Sequence, residues 1–260
     1  MVSKALAMAD LDVALLDLED GVPAPERERA REIVAAALDR RPADRPRLFV
    51  RVNRTGTPAC DRDLAAISAH RPDGVLLPKV ERPEEIADVV RTLPDVAIVA
   101  GIESARGLLA APAIAAASPA YLLALMFGAE DFANDIGLPT ALDAASREML
   151  YARSAIVVAA AAAGIDAIDG VWTDVRDLDG LRRDAEAARR LGFRGKSLIH
   201  PSHVAIVNEV FSPGPDELAW ARRVVAAAEA AEHDGRAAIA VDGQLVDPPV
   251  VARARRTLGE

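Results

Sequence analysis

"VALLDLEDGVPAPERERAREI" (13–33) runs from a short apolar stretch into three acids, Asp17, Glu19 and Asp20, then through a Gly-Val-Pro turn into a charged segment. An apolar run this short, bounded by turn residues and followed by helical periodicity, reads as a buried strand feeding a crossover helix. The same order recurs along the chain. Seven such runs are present: "DVALLDLED" (12–20), "RLFVRVN" (47–53), "GVLLPKV" (74–80), "VAIVAGIES" (96–104), "YLLALMFGAED" (121–131), "DAIDGVW" (166–172) and "GKSLIHP" (195–201). Between them, segments such as "APERERAREIVAAALDRR" (24–41) and "DLDGLRRDAEAARRLG" (177–192) carry charges on one face and Ala, Ile, Val and Leu on the other. Those are amphipathic helices. "SREMLYARSAIVVAAAAAG" (146–164) is more apolar and is expected to be better buried.

Repeated strand–helix units predict a parallel sheet covered by helices. The expected fold is α/β, a TIM (β/α)₈-type barrel, and such a barrel needs eight strands. The residues ahead of the first run, "SKALAMAD" (3–10), read as the end of a helix. The chain is therefore expected to start inside a βα unit whose strand is missing, leaving a barrel that lacks its first strand. A doubly wound open sheet is the alternative, because it needs no eighth strand.

The strand ends favour the barrel. Polar residues close each run: Asp17, Glu19 and Asp20 on the first, Arg51 and Asn53 on the second, and Lys79 on the third. Glu103 closes the fourth, Glu130 and Asp131 the fifth, Asp169 and Asp174 the sixth, and His200 the seventh. In a barrel these ends converge on one face, where the active sites of that architecture lie. Singly, an acid ahead of a helix is an ordinary cap or dipole partner. Five or more carboxylates at one rim repel unless a cation or basic groups sit among them. Arg51 and Lys79 supply part of that charge, and a metal ion can supply the rest.

Composition removes several classes of function. The chain has 260 residues, a net charge of −9 and one cysteine, Cys60. Such an acidic chain lacks the basic footprint of a nucleic-acid binder. One cysteine excludes an internal disulfide framework and multi-cysteine metal sites. No membrane span or signal-peptide centre is visible, so a soluble cytoplasmic protein is expected. No G-x-S-x-G elbow and no cysteine–histidine pair points to a hydrolase. "GFRGKS" (192–197) has the wrong glycine spacing for a phosphate loop.

Seven segments occur in order: "LDLEDGVP…ERERAREIV", "RVNRTGT", "LLPKVERPEEI", "GIESARGLLAA", "FGAEDFANDIG", "AIDGVWTDVRDLDGL" and "GKSLIHPSHVAIVNEVF". Together they resemble the citrate lyase beta-subunit-like, CoA-ester lyase branch of the HpcH/HpaI aldolase family. The resemblance covers roughly residues 4 to 250. It implies a (β/α)₈ barrel at 1–210 and a C-terminal helical and hairpin lid at 211–260, part of the same domain, in a homotrimer or dimer of trimers. The implied chemistry is Mg²⁺-dependent cleavage of a 3-hydroxyacyl-CoA thioester of the citryl-, malyl- or citramalyl-CoA type, releasing acetyl-CoA and a 2-oxo acid; Mn²⁺ is expected to substitute. By motif, Glu103 and Asp131 match the metal ligands, and Arg51 matches the arginine that pairs with the substrate carboxylate. Arg51, Glu103 and Lys79 are expected to contact substrate. Asp20, ahead of Glu19, is expected to line the site, while Asp17 is expected to face a neighbouring strand. Lys196 is a candidate for the CoA phosphates, and His200 is read as structural.

Near the C-terminus, "PDELAWARRVVAAAEAAEHDG" (215–235) is a long amphipathic helix, and "AAIAVDGQLVDPPVVARARRTL" (237–258) reads as a hairpin turning at Asp-Gly and then a final helix. "GQLVDPPV" resembles the family's lid motif. The resemblance implies that Asp247 handles the acetyl methyl proton in a neighbouring subunit's site; its plain reading is a helix cap. Two features depart from the family: the opening strand with its substrate-site arginine is missing, and His203 stands where glutamine is common. Two other readings are a class II pyruvate aldolase acting without CoA and a non-catalytic, truncated paralogue serving as a complex subunit.

Overall fold

The computed structural model describes residues 2–41, 46–118, 120–139, 147–233 and 239–260. The chain divides into two compact units, Met1–Phe211 and Ser212–Glu260.

In the first unit, α1 (Val2–Leu6) precedes a run of strand–helix units: β1 (Val13–Asp17), α2 (Arg27–Asp39), β2 (Arg47–Arg51), α3 (Pro58–Ser68), β3 (Gly74–Leu77), α4 (Glu84–Thr92), β4 (Ala97–Ile102) and α5 (Ala105–Ala115). Next come β5 (Leu122–Phe127), α6 (Ala129–Asp135), α7 (Leu150–Ala163), β6 (Asp166–Asp169), α8 (Leu178–Leu191), β7 (Gly195–Lys196) and α9 (Val204–Phe211). All seven strands are parallel and lie side by side in chain order, from β1 to β7. A doubly wound sheet reverses its strand order at a switch point, so that alternative is overturned. Each strand's C-terminal end therefore lies on the same edge of the sheet.

Local chemistry sets the junctions at both edges. Thr57, Ser104 and Asp177 each accept a hydrogen bond from the amide three residues on, capping α3, α5 and α8. Gly164 and Gly192 end α7 and α8 with φ of 71° and 110°, the left-handed conformation that glycine adopts without a Cβ penalty. The strands contribute the core: β3 is buried at every residue, and Leu48, Val50, Ile98, Ala100, Ile102, Leu125 and Phe127 join it. Among the described residues β1 is an edge strand that pairs with β2; Ala14 and Leu16 are buried while Val13 and Leu15 are more than a third exposed.

Three expectations need correction. The strands stop earlier than their apolar runs, so Asp174 and His200 are not strand-end residues. Asp174 instead accepts from the Arg176 and Asp177 amides in the turn after β6. His200 lies past β7, where its Nδ1 accepts from the Ser202 amide at 3.3 Å. Finally, α7 is no better buried than α8, with five buried residues on each: Ile156, Ala159 and Ala160 face the core, but Leu150, Tyr151 and Val158 are exposed.

The second unit contains α10 (Pro215–His233), β8 (Ile239–Val241), β9 (Gln244–Val246) and α11 (Pro248–Leu258). β8 and β9 pair antiparallel across Asp242 and Gly243, both at positive φ, as a type I′ hairpin turn requires. Ala221, Val224, Val225, Val246 and Ala254 form its core. Among the described residues, no helix is long and apolar enough to cross a membrane.

Candidate metal-dependent active site

Glu103 follows β4 directly and precedes the Ser104 cap of α5, so its place at the strand–helix junction is fixed from both sides. Asp131 lies in the first turn of α6. Two bonds hold the junctions together: Gly128 N donates to Ile102 O at 3.1 Å, and Asp135, one turn along α6 from Asp131, accepts from Ala105 N at 2.8 Å.

Around this pair lies an ion network built from the ends of β1, β2 and β3. Arg51 makes a two-point contact with Asp17, Nε to Oδ1 at 2.7 Å and Nη2 to Oδ2 at 2.6 Å. Its Nη1 lies 3.0 Å from Glu19 Oε2, outside hydrogen-bonding geometry. Lys79 Nζ donates to Glu19 Oε1 at 3.0 Å and to Asp20 Oδ2 at 2.9 Å, and lies 3.6 Å from Asp131 Oδ2. Lys79 reaches this position with its backbone at φ 52°, a left-handed conformation uncommon outside glycine. Such strain gathers at functional sites.

The structure locates three of the residues singled out in the sequence. Asp17 does face the neighbouring strand. Glu19 is buried and touches both cations, whereas Asp20, the residue expected to line the site, is exposed at the rim and pairs with Lys79. Lys196 does not reach outward toward an anion. Its ammonium is buried against Asp169, at 2.6 Å, and Asp184, and Arg153 completes the cluster with Asp169 at 2.8 Å and Asp184 at 3.1 Å. Sequence reasoning missed Arg153 and Asp184, which are single charges within apolar helix faces.

The electrostatics follow from five carboxylates facing two cations. Burial, then the charges of Glu19 and Asp131, push Glu103 up to about 7, against the pull of Lys79 and Arg51. Burial also leaves Glu19 raised despite Lys79 and Arg51. For Asp17, burial works upward, but the Arg51 contact and the Glu19 and Gly21 amides more than offset it and hold the carboxyl below its ordinary value. Burial works to lower Arg51 and Lys79, yet their carboxylate partners hold both above their ordinary values.

A hard divalent cation suits these residues. Glu103 Oε2 is buried without a hydrogen-bond partner. Two glycines cradle the carboxylate: a Cβ on Gly101 would meet Glu103 Oε1 at 2.5 Å, and one on Gly128 would meet Glu103 Cγ at 2.5 Å. The donors are all oxygen, as Mg²⁺ prefers. Among the described residues, no group of three or more His, Cys, Asp or Glu side chains could hold a metal. Two carboxylates completed by water and substrate oxygens match the habit of Mg²⁺. Gly128→Ala is expected to displace Glu103 and weaken Mn²⁺ binding by roughly tenfold, since disturbing the groups that orient a metal-binding carboxylate costs about 10- to 100-fold in affinity. Titration of Mn²⁺ by its electron paramagnetic resonance signal measures this.

Fold and site together define an α/β protein of the sequentially wound parallel type, with carboxylates and two cations gathered at its strand C-termini. A family model described as HpcH/HpaI aldolase/citrate lyase matches residues 1–201, and the chain belongs to that family. It is 39% identical over 257 residues to the citrate lyase subunit beta-like protein of Mycobacterium tuberculosis, covering 98% of this chain and 89% of the relative. It is 34% identical over 274 residues to the mitochondrial citramalyl-CoA lyase of Homo sapiens, covering 98% and 80%. The crystal structure of CitE from Mycobacterium tuberculosis in complex with magnesium, acetoacetate and coenzyme A superposes with a TM-score of 0.81 at 36% identity, covering 97% and 91% of the two chains.

Proposed function

We propose that this chain is a Mg²⁺-dependent carbon–carbon lyase that cleaves a 3-hydroxyacyl-CoA thioester of the citryl-, malyl- or citramalyl-CoA type to acetyl-CoA and a 2-oxo acid. The observation that carries this reading is the buried Glu103 carboxylate, with an unpartnered oxygen, set beside Asp131 and ringed by Arg51 and Lys79. Glu103 and Asp131 would hold the metal. Mg²⁺ bound there supplies Lewis-acid polarisation of the oxygen that changes from hydroxyl to keto, and orients the 2-oxo acid portion.

The protein groups divide the remaining work. Arg51 binds the 2-oxo acid carboxylate through the guanidinium edge that Asp17 leaves free, and Asp17 fixes its plane. Glu19 would hold Arg51 and Lys79 on either side of the substrate, and Lys79 would add positive charge beside the hydroxyl oxygen as it loses its proton. Asp20, exposed at the rim beside Lys79, would take the hydroxyl proton. Asp247 is the candidate for the acetyl methyl proton. Its Oδ1 accepts from Val250 N at 3.2 Å, capping α11 within the second unit, so the role read from the family motif has to coexist with capping. In the same reading the first unit is a barrel-type fold, the second is a lid extension that serves a neighbouring subunit's site, and the protein is cytoplasmic. The apolar surface left exposed by Leu109 on α5 and by Tyr151 and Val158 on α7 supports assembly as a homotrimer or dimer of trimers.

Incubation with citryl-, malyl- and citramalyl-CoA, with the products separated, tests the assignment. Acetyl-CoA plus a 2-oxo acid is the expected outcome; free CoA plus the intact hydroxy acid would mean thioester hydrolysis. Arg51→Lys is expected to lower turnover and 2-oxo acid affinity by about 10- to 100-fold, because a point charge replaces two charge-assisted hydrogen bonds worth roughly 1.5–3 kcal/mol each. Mn²⁺ affinity should stay near that of the wild type. Calorimetric titration with metal and with 2-oxo acid separates the two, and equal loss of both would make Arg51 a brace of the whole site.

A further inference from the structure

We infer that Asp63, on α3, is a positioning residue for the proposed reaction: it sets the rim segments that carry Glu19 and Arg51. Asp63 is fully buried. Its Oδ1 accepts from Arg31 Nε at 2.7 Å, and its Oδ2 accepts from both the backbone N and the Nδ2 of Asn53, each at 2.7 Å. Asn53 Nδ2 also donates to Leu18 O at 2.8 Å, while Leu18 N donates to Arg51 O at 2.9 Å. Leu18 immediately precedes Glu19, and Asn53 lies two residues past Arg51. One carboxylate behind the rim thus fixes the exit of β2 and, through the Asn53 amide, the exit of β1.

The geometry demands a carboxylate. Among the described residues, each hydrogen bond to Asp63 comes from an N–H donor, on both of its oxygens. An asparagine there would turn its own NH₂ toward Arg31 or toward Asn53, with donor facing donor. Asp63→Asn is nearly isosteric and yet unlocks the rim, whereas Glu103 and Asp131 sit on β4–α5 and α6, tied together by their own bonds. The signature is therefore selective: binding that depends on Arg51 and Glu19 falls and metal binding does not.

The inference rests on the lyase reading, and the test keeps the two apart. Pyruvate, as a probe 2-oxo acid, is titrated calorimetrically at saturating Mn²⁺, and Mn²⁺ is titrated separately by electron paramagnetic resonance. Asp63→Asn is expected to bind pyruvate at least tenfold more weakly with Mn²⁺ affinity within twofold of wild type. Asn53→Ala keeps the Arg31–Asp63 pair and removes the bond to Leu18, so it should show the same selective loss even if Asp63→Asn does not fold. Pyruvate affinity within twofold of wild type in a folded variant, or parallel loss of pyruvate and Mn²⁺, would overturn the inference. A wild-type chain that binds Mn²⁺ but no pyruvate overturns the lyase reading, and the inference with it.

Discussion

Alanine at Glu103 or at Asp131 is expected to lower lyase turnover by about 10³-fold or more while leaving the chain folded. The two carboxylates are the whole proposed protein contribution to the metal, so either change leaves one. A Lewis acid at a developing charge is worth several kcal/mol, and each 1.36 kcal/mol is a factor of ten in rate. The fold should tolerate the Glu103 change. Burial and its acidic neighbours push that carboxylate up to about 7, so in the metal-free protein its charge opposes folding at neutral pH. Circular dichroism should therefore show an intact structure with melting no lower than wild type. Mn²⁺ titration should show the lost site. Normal turnover by either variant in chelator-treated buffer would remove these two residues from the metal.

Lys196→Met is expected to destabilise the first unit by about 3–5 kcal/mol, the range for removing one partner of a buried ion pair. Its ammonium is buried between Asp169 and Asp184, and Arg153 alone would remain to balance two aspartates. For a unit of this size the melting temperature should fall by roughly 6–20 °C. Adding Asp184→Leu should recover much of the loss, because replacing a buried pair by apolar residues is often neutral. A melting temperature unchanged in the single variant would mean that the cluster does not hold β6, β7 and α8 together.

The features that local spacing determines were legible in the sequence. Seven apolar runs became seven parallel strands, Asp242–Gly243 became the hairpin turn, and the acid-then-cap order at Glu103 and Ser104 put a carboxylate at a strand end. Where several segments meet, local spacing was insufficient. Asp20 and Glu19 are adjacent acids, and which one turns inward depends on Lys79 arriving from another strand in a left-handed backbone. Lys196 lies in "GKSLIHP", read as a strand, where local spacing does not say which way its charge faces; its burial depends on Asp184 and Arg153, contributed by two helices. A signal for such buried charges was present. Asp63 falls on the stripe of Cys60, Leu64 and Ile67, and Arg153 near that of Ile156 and Ala160, so each is a charge on an otherwise core-facing surface. A charge in that position calls for a buried partner.

The central claim is that two rim carboxylates hold a cation without which this chain does not break the carbon–carbon bond. The most direct measurement follows acetyl-CoA and 2-oxo acid release from citramalyl-CoA, malyl-CoA and citryl-CoA after exhaustive chelation, and again as Mg²⁺ is titrated back. The expected result is no cleavage in the chelated protein and full recovery with Mg²⁺, or with Mn²⁺, yielding the two products in equal amounts from at least one thioester. Undiminished cleavage in the chelated protein, or Mg²⁺-dependent release of free CoA with no 2-oxo acid, would contradict it.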